Sequence, residues 1–124
     1  MDRTRFIDHR GRRLLMLDYT EMGTDLDQLR AEIVKSKEVI AGEPPASVLT
    51  LTDVRGSKIT PGAVKAMQEL VQFNAPYVRW SAVVVGLTGV YLTAFRAIQA
   101  LSRRRNMKAF NDLTEAKEWL VSHS

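Results

Sequence analysis

The sequence predicts one α/β domain: a mostly parallel sheet of about five strands with an N-terminal antiparallel strand, flanked by about four helices. Three observations lead there. Short β-branched or apolar runs alternate with segments whose apolar residues recur at helical spacing. A glycine separates two extended segments near the N-terminus, as in a hairpin. Residues suited to capping stand where the periodic segments begin.

Arg3 to Asp8 and Arg12 to Tyr19 are the two extended segments, with His9-Arg10-Gly11 between them. The unbroken run Leu14-Leu15-Met16-Leu17 suggests a strand covered on both faces. Thr24 is suited to cap the first helix, with Asp25 and Asp27 at its positive end. Leu26, Leu29, Ile33, Val34 and Ile40 form its apolar stripe, and Gly42 and Pro44-Pro45 end it.

Ser47 to Asp53 reads as a buried central strand ending on a carboxylate. A polar turn follows, and Thr60-Pro61 opens a helix, threonine as cap and proline at the first helical position. Ala63, Ala66, Met67, Leu70, Val71 and Phe73 make its apolar stripe, and Asn74-Ala75-Pro76 stops it. Val78 to Val85 is the next strand and Gly86-Leu87-Thr88-Gly89 the turn after it. Val90, Tyr91, Ala94, Phe95, Ile98 and Leu101 define a third helix. Met107 to Phe110 is a short strand, and Asp112 with Glu115 has capping-box spacing before a last helix carrying Leu113, Ala116, Trp119 and Leu120.

Ser81 to Leu101 imitates a membrane span: 21 residues with one charge, Trp80 before and three arginines after. Gly86 and Gly89 break it, Arg96 falls inside it, and the period changes at Thr88, so it is read as strand, turn and helix.

The chain has 124 residues, a formal net charge of +4 and no cysteine, which excludes thiol chemistry and cysteine metal sites. The N-terminus has no apolar signal-peptide core, and a cytoplasmic location is expected. Acidic residues gather between Asp18 and Glu43, whereas Leu70 to Asn111 has none and carries Arg79, Arg96, Arg103, Arg104, Arg105 and Lys108. That polarity suggests a homodimer or weak self-association. His9 and His123 lie near opposite ends, and no grouped histidines or paired carboxylates suggest a metal site, a cofactor or catalysis. Nucleic acid is not expected as a partner, because the basic residues are not interleaved with aromatics on a reading element.

Two turns are the candidate sites. The first holds Asp53, Arg55, Ser57 and Thr60, at the carboxyl end of the central strand, where α/β sheets receive ligands and signals. Asp53 there is suited to an Asx-turn. The second holds Gly86, Thr88 and Gly89, whose backbone amides are suited to an anion, though it lacks the Lys-Ser/Thr of a Walker loop. In a parallel sheet the two turns share one edge, and a crevice between them would suit a small ligand.

In this order, HRGRRLLMLDY, VLTLTDVRGSKITPGAV, APYVRWSAVVVGLTGV, RNMKAF and TEAKEWL together resemble the SpoIIAA-like, or STAS/SEC14-type, family of small bacterial proteins, over nearly the whole chain. The resemblance implies a mostly parallel sheet wrapped by helices. It also implies a non-enzymatic regulatory or protein-binding module with an unidentified protein partner, in some relatives switched by phosphorylation. The position matching that switch is Thr60, with Ser57 as neighbour. The antagonist pattern of an Asp followed by Ser and Gly is replaced here by Lys58-Ile59-Thr60-Pro61-Gly62. The alternative expectation is a carrier that holds a small anionic or lipid-like ligand in the crevice at the carboxyl ends of the strands.

Overall fold

The computed structural model describes residues 2–22, 24–87 and 89–124. The element order is β1 (Thr4–His9), β2 (Arg12–Asp18), α1 (Leu26–Ala41), β3 (Val48–Asp53), α2 (Pro61–Asn74), β4 (Val78–Val84), α3 (Gly89–Ser102), β5 (Met107–Phe110) and α4 (Leu113–His123). The strands form one sheet in the order β1-β2-β3-β4-β5. β1 is antiparallel to β2 and the remaining pairs are parallel. The predicted α/β class, the N-terminal antiparallel strand and the four helices are all present.

The hairpin turn places Arg10 and Gly11 at φ of 52° and 77°. Two consecutive positive φ values match the right-handed twist of the flanking strands, and glycine takes one of them without strain. β2 is buried from Leu14 through Leu17, because both sheet faces are covered there.

Strand order explains the layering. Each crossover moves one strand further in the same direction, so crossovers of one hand place their helices on one face. Leu15 and Leu17 pack with α1 and α2, and Val83 and Met107 pack with Phe95 of α3. The opposite face, with Leu14, Met16, Leu51, Ala82 and Val84, is covered by Ala116 and Leu120 of α4. Trp119 stands edge-on to Trp80 with ring centroids 5.6 Å apart, extending that cover toward β4.

Several local expectations change. Asp25, not Thr24, caps α1, its carboxylate accepting from the amides of Asp27 (3.0 Å) and Gln28 (3.3 Å). Both residue types can cap; the cap lies one residue later than Thr24, directly before Leu26, where the apolar stripe begins. Val34 faces solvent, while Glu32 and Ser36 are buried. The reason is a polar network. Thr4 of β1 donates to Glu32 Oε2 (2.8 Å), and Ser36 bonds Thr4, the Tyr19 hydroxyl and the Glu32 carbonyl. Burial pushes the Tyr19 pKa well above its ordinary value, so this phenol stays neutral as a hydrogen-bonding group. In α3, Val90 and Leu101 are exposed and only Phe95 and Ile98 are buried, so this helix sits lightly on the sheet. Among the described residues, no helix is long and apolar enough to cross a membrane. Ser81 to Leu101 divides between β4 and α3.

Candidate functional site

The carboxyl edge of the sheet is built from three segments that tie to each other. The chain leaving β2 runs alongside the β3–α2 turn: the Tyr19 amide donates to the Asp53 carbonyl (2.9 Å), Glu21 to Arg55 (3.1 Å) and Lys58 back to Met22 (2.7 Å). Asp53 is buried, and its carboxylate is fully engaged by Arg55. Oδ1 accepts from the Arg55 amide (3.1 Å) and Nε (3.0 Å), and Oδ2 from Nη2 (2.7 Å). The amide bond is the Asx-turn expected from sequence, and the guanidinium adds a two-pronged clamp. That hydrogen bonding to Asp53 raises the Arg55 pKa, against a smaller opposing effect of burial.

Ser57 is half-buried and its hydroxyl donates to the Tyr19 carbonyl. The Tyr91 hydroxyl, from the first turn of α3, donates to the Ser57 carbonyl (2.8 Å). Gly86, at φ of 76°, lies against Arg55: a Cβ there would stand 3.4 Å from Arg55 Cγ. The two predicted turns therefore share an edge. Gly89 begins α3 with open space around it. Thr88 lies outside the described residues.

Thr60 is exposed at the N-terminus of α2, its hydroxyl oxygen accepting from the Ala63 amide (3.1 Å). Thr60→Ala is expected to cost about 1 kcal/mol through loss of the cap. Thr60→Asp retains a capping oxygen and places a negative charge at the positive helix end, so it should match wild-type stability. Urea unfolding of the two variants checks both.

A largely apolar concavity lies elsewhere. Beneath α2 and α3, against the sheet face of Thr50, Thr52, Ser81 and Val83, is a cavity of about 100 Å³. Its walls are largely apolar, supplied by Met67, Leu70 and Val71 of α2 and by Phe95 and Ile98 of α3. One end is closed by Val54, Ser57, Lys58 and Ile59 of the β3–α2 turn, with Tyr91. The other reaches the amino edge of the strands, at Asn74, Val78 and Arg104. Gly86 and Gly89 do not line it. The sheet order never reverses, so the two turns do not flank a topological switch point. The space arises instead where lightly seated α3 meets α2.

Two residues that sequence reasoning did not single out sit at the amino-edge end. Arg103 and Arg105 are exposed, but Arg104 turns inward. Its Nη1 donates to the Val71 carbonyl (2.9 Å) and its Nε to Asn106 Oδ1 (2.8 Å), while Nη2 is buried with no partner among the described residues. Burial lowers the Arg104 pKa below the ordinary guanidinium value. Asn74, in the last turn of α2, is buried with Oδ1 likewise unpartnered among the described residues. Three consecutive arginines carry no pattern that marks the middle one; its inward course is set by the turn at Arg103, which has φ of 55°.

Among the described residues, no group of three or more His, Cys, Asp or Glu is placed to hold a metal ion. The site has the character of a small apolar chamber with polar groups at one end, bounded at the other by a hydrogen-bonded turn. No family model, curated protein or solved structure matches this chain.

Proposed function

We propose that the protein is a non-enzymatic binding module that houses a small, largely apolar ligand in the cavity beneath α2 and α3. The observation that carries this reading is the cavity itself, about 100 Å³ within a domain of 124 residues. Apolar side chains that line an open space lack the contacts a packed core would give them. An apolar cavity of about 150 Å³ takes up benzene, and this cavity is partly open to solvent, so a ligand with a single ring is of suitable bulk. A ligand seated there would recover the lost contacts.

The carrier reading also supplies a regulatory one. Val54, Ser57, Lys58 and Ile59 line the cavity and form the turn presented at the carboxyl edge. Occupancy would press on that turn from within, and a protein partner docked on the edge would sense it. Ile59 and Leu87 are exposed apolar side chains on the two adjoining turns, with Leu87 89% accessible. This agrees with the regulatory role implied by the SpoIIAA-like resemblance, and a cytoplasmic setting belongs to the same proposal. Ser57 is committed to the Tyr19 carbonyl, so Thr60 is the more accessible of the two hydroxyls for modification.

The test is thermal unfolding with and without toluene. A ligand bound only by the folded state stabilises it by RT ln(1 + [L]/Kd), so Tm should rise in a saturable manner. An unchanged or lowered Tm over the soluble range of toluene would remove the proposal.

A further inference from the structure

The cavity is largely apolar, and two residues that line its amino-edge end, Arg104 and Asn74, each carry a buried polar atom without a partner among the described residues, Nη2 and Oδ1. Buried hydrogen-bonding groups are nearly always paired, so two orphans on residues that line one cavity require a common explanation. Arg104 is a cation, and it forms no ion pair among the described residues. A desolvated guanidinium is normally matched by an anion, often through a planar two-oxygen contact. Its Nη1 is held by the Val71 carbonyl, one helical turn before Asn74, which fixes the direction in which Nη2 points.

From this cluster we infer that the ligand is a small apolar monocarboxylic acid, bound as the carboxylate with its head on Arg104 and Asn74 and its body along Val71, Phe95 and Ile98. This rests on the cavity being a ligand site, and it adds the chemical class and the orientation. One carboxylate oxygen accepts from Arg104 Nη2. The other accepts from the Asn74 side-chain amide, which no hydrogen bond to a described residue holds in its present orientation. A half-turn of that amide exchanges oxygen for NH₂ and converts an acceptor into a donor. The burial that lowers the Arg104 pKa is the same desolvation that an anion would offset. The carboxylate thus lies at the edge opposite the Asp53–Thr60 turn, and the apolar end of the ligand points toward that turn.

Three probes of similar bulk separate the outcomes: sodium benzoate, benzyl alcohol and toluene, each titrated into the full chain and followed by NMR. Benzoate is expected to bind at least tenfold more tightly than benzyl alcohol, shifting the Asn74 side-chain amide and Arg104 Nε–H signals. Arg104→Gln is expected to bring the benzoate and alcohol affinities to within about twofold of each other. Asn74→Asp, which sets a carboxylate beside the guanidinium, is expected to weaken benzoate by at least tenfold. Should Arg104→Gln fail to fold, the wild-type ratio and Asn74→Asp still decide the question. Benzyl alcohol or toluene entering the cavity while benzoate binds no better than the alcohol would overturn the carboxylate assignment and leave the apolar-ligand reading intact. Failure of all three probes to enter would overturn both.

Discussion

Leu120→Ala should destabilise the fold by about 2–5 kcal/mol, the range for truncating a fully enclosed leucine. Leu120 is 0% exposed and packs into the cluster of Leu14, Met16, Leu51 and Val84 on the sheet face opposite α1, α2 and α3. That face has one helix as its cover, so no second layer can move in to close the gap. Small domains have only about 5–15 kcal/mol of net stability, which makes this a large fraction of the whole. Urea unfolding measures it: the midpoint should fall while the slope, which reports the surface exposed, stays unchanged. A loss below 1 kcal/mol would mean that α4 is not integral to the fold. Toluene uptake in the folded variant should be unaltered, because the sheet separates Leu120 from the cavity.

Ala94→Leu should abolish toluene uptake, with apparent affinity falling at least tenfold. Ala94 lies on α3 and lines the cavity, one residue before buried Phe95. Three added carbons would occupy space that a ligand needs. Filling a void with a side chain commonly stabilises a protein by about 0.5–2 kcal/mol, so the variant should be at least as stable as the wild type. Higher stability with loss of binding is a combination that general damage to the fold cannot produce. Thermal unfolding in toluene reads both quantities, and a retained toluene response would place the ligand outside this cavity.

The architecture was legible because it rests on period and punctuation. Leu14 to Leu17 announced a strand covered on both faces, and Thr60-Pro61 announced the start of α2 to the residue. The strand–helix transition after β4 followed from the same change of period, which also exposed the false membrane span. Asp53 took its predicted Asx-turn, but its clamp by Arg55 needed the turn geometry at Gly56, where φ is 75°.

What could not be read depends on distant partners. Glu32 and Ser36 look like solvent-facing residues of α1 until Thr4 and Tyr19 are brought beside them by the sheet. Arg104 is chemically identical to Arg103 and Arg105, and the turn at Arg103 with the approach of Val71 and Asn106 distinguishes it. The cavity is further from sequence still. It depends on the separation of α2 and α3, and that separation is set jointly by side chains from three elements. The expected ligand contact at Gly86, Thr88 and Gly89 lies on the carboxyl edge; Gly86 and Gly89 do not line the cavity, and Thr88 lies outside the described residues.

The space beneath α2 and α3 is proposed to receive a ligand. Methyl-resolved NMR of the full chain during a toluene titration examines it most directly. Saturable shifts are expected only at methyls that line the cavity, those of Met67, Leu70, Val71, Val83 and Ile98 among them. Leu14, Leu51 and Leu120, on the other sheet face, should remain unmoved. Shifts that spread over both faces without saturation, or no shifts at all, would contradict it.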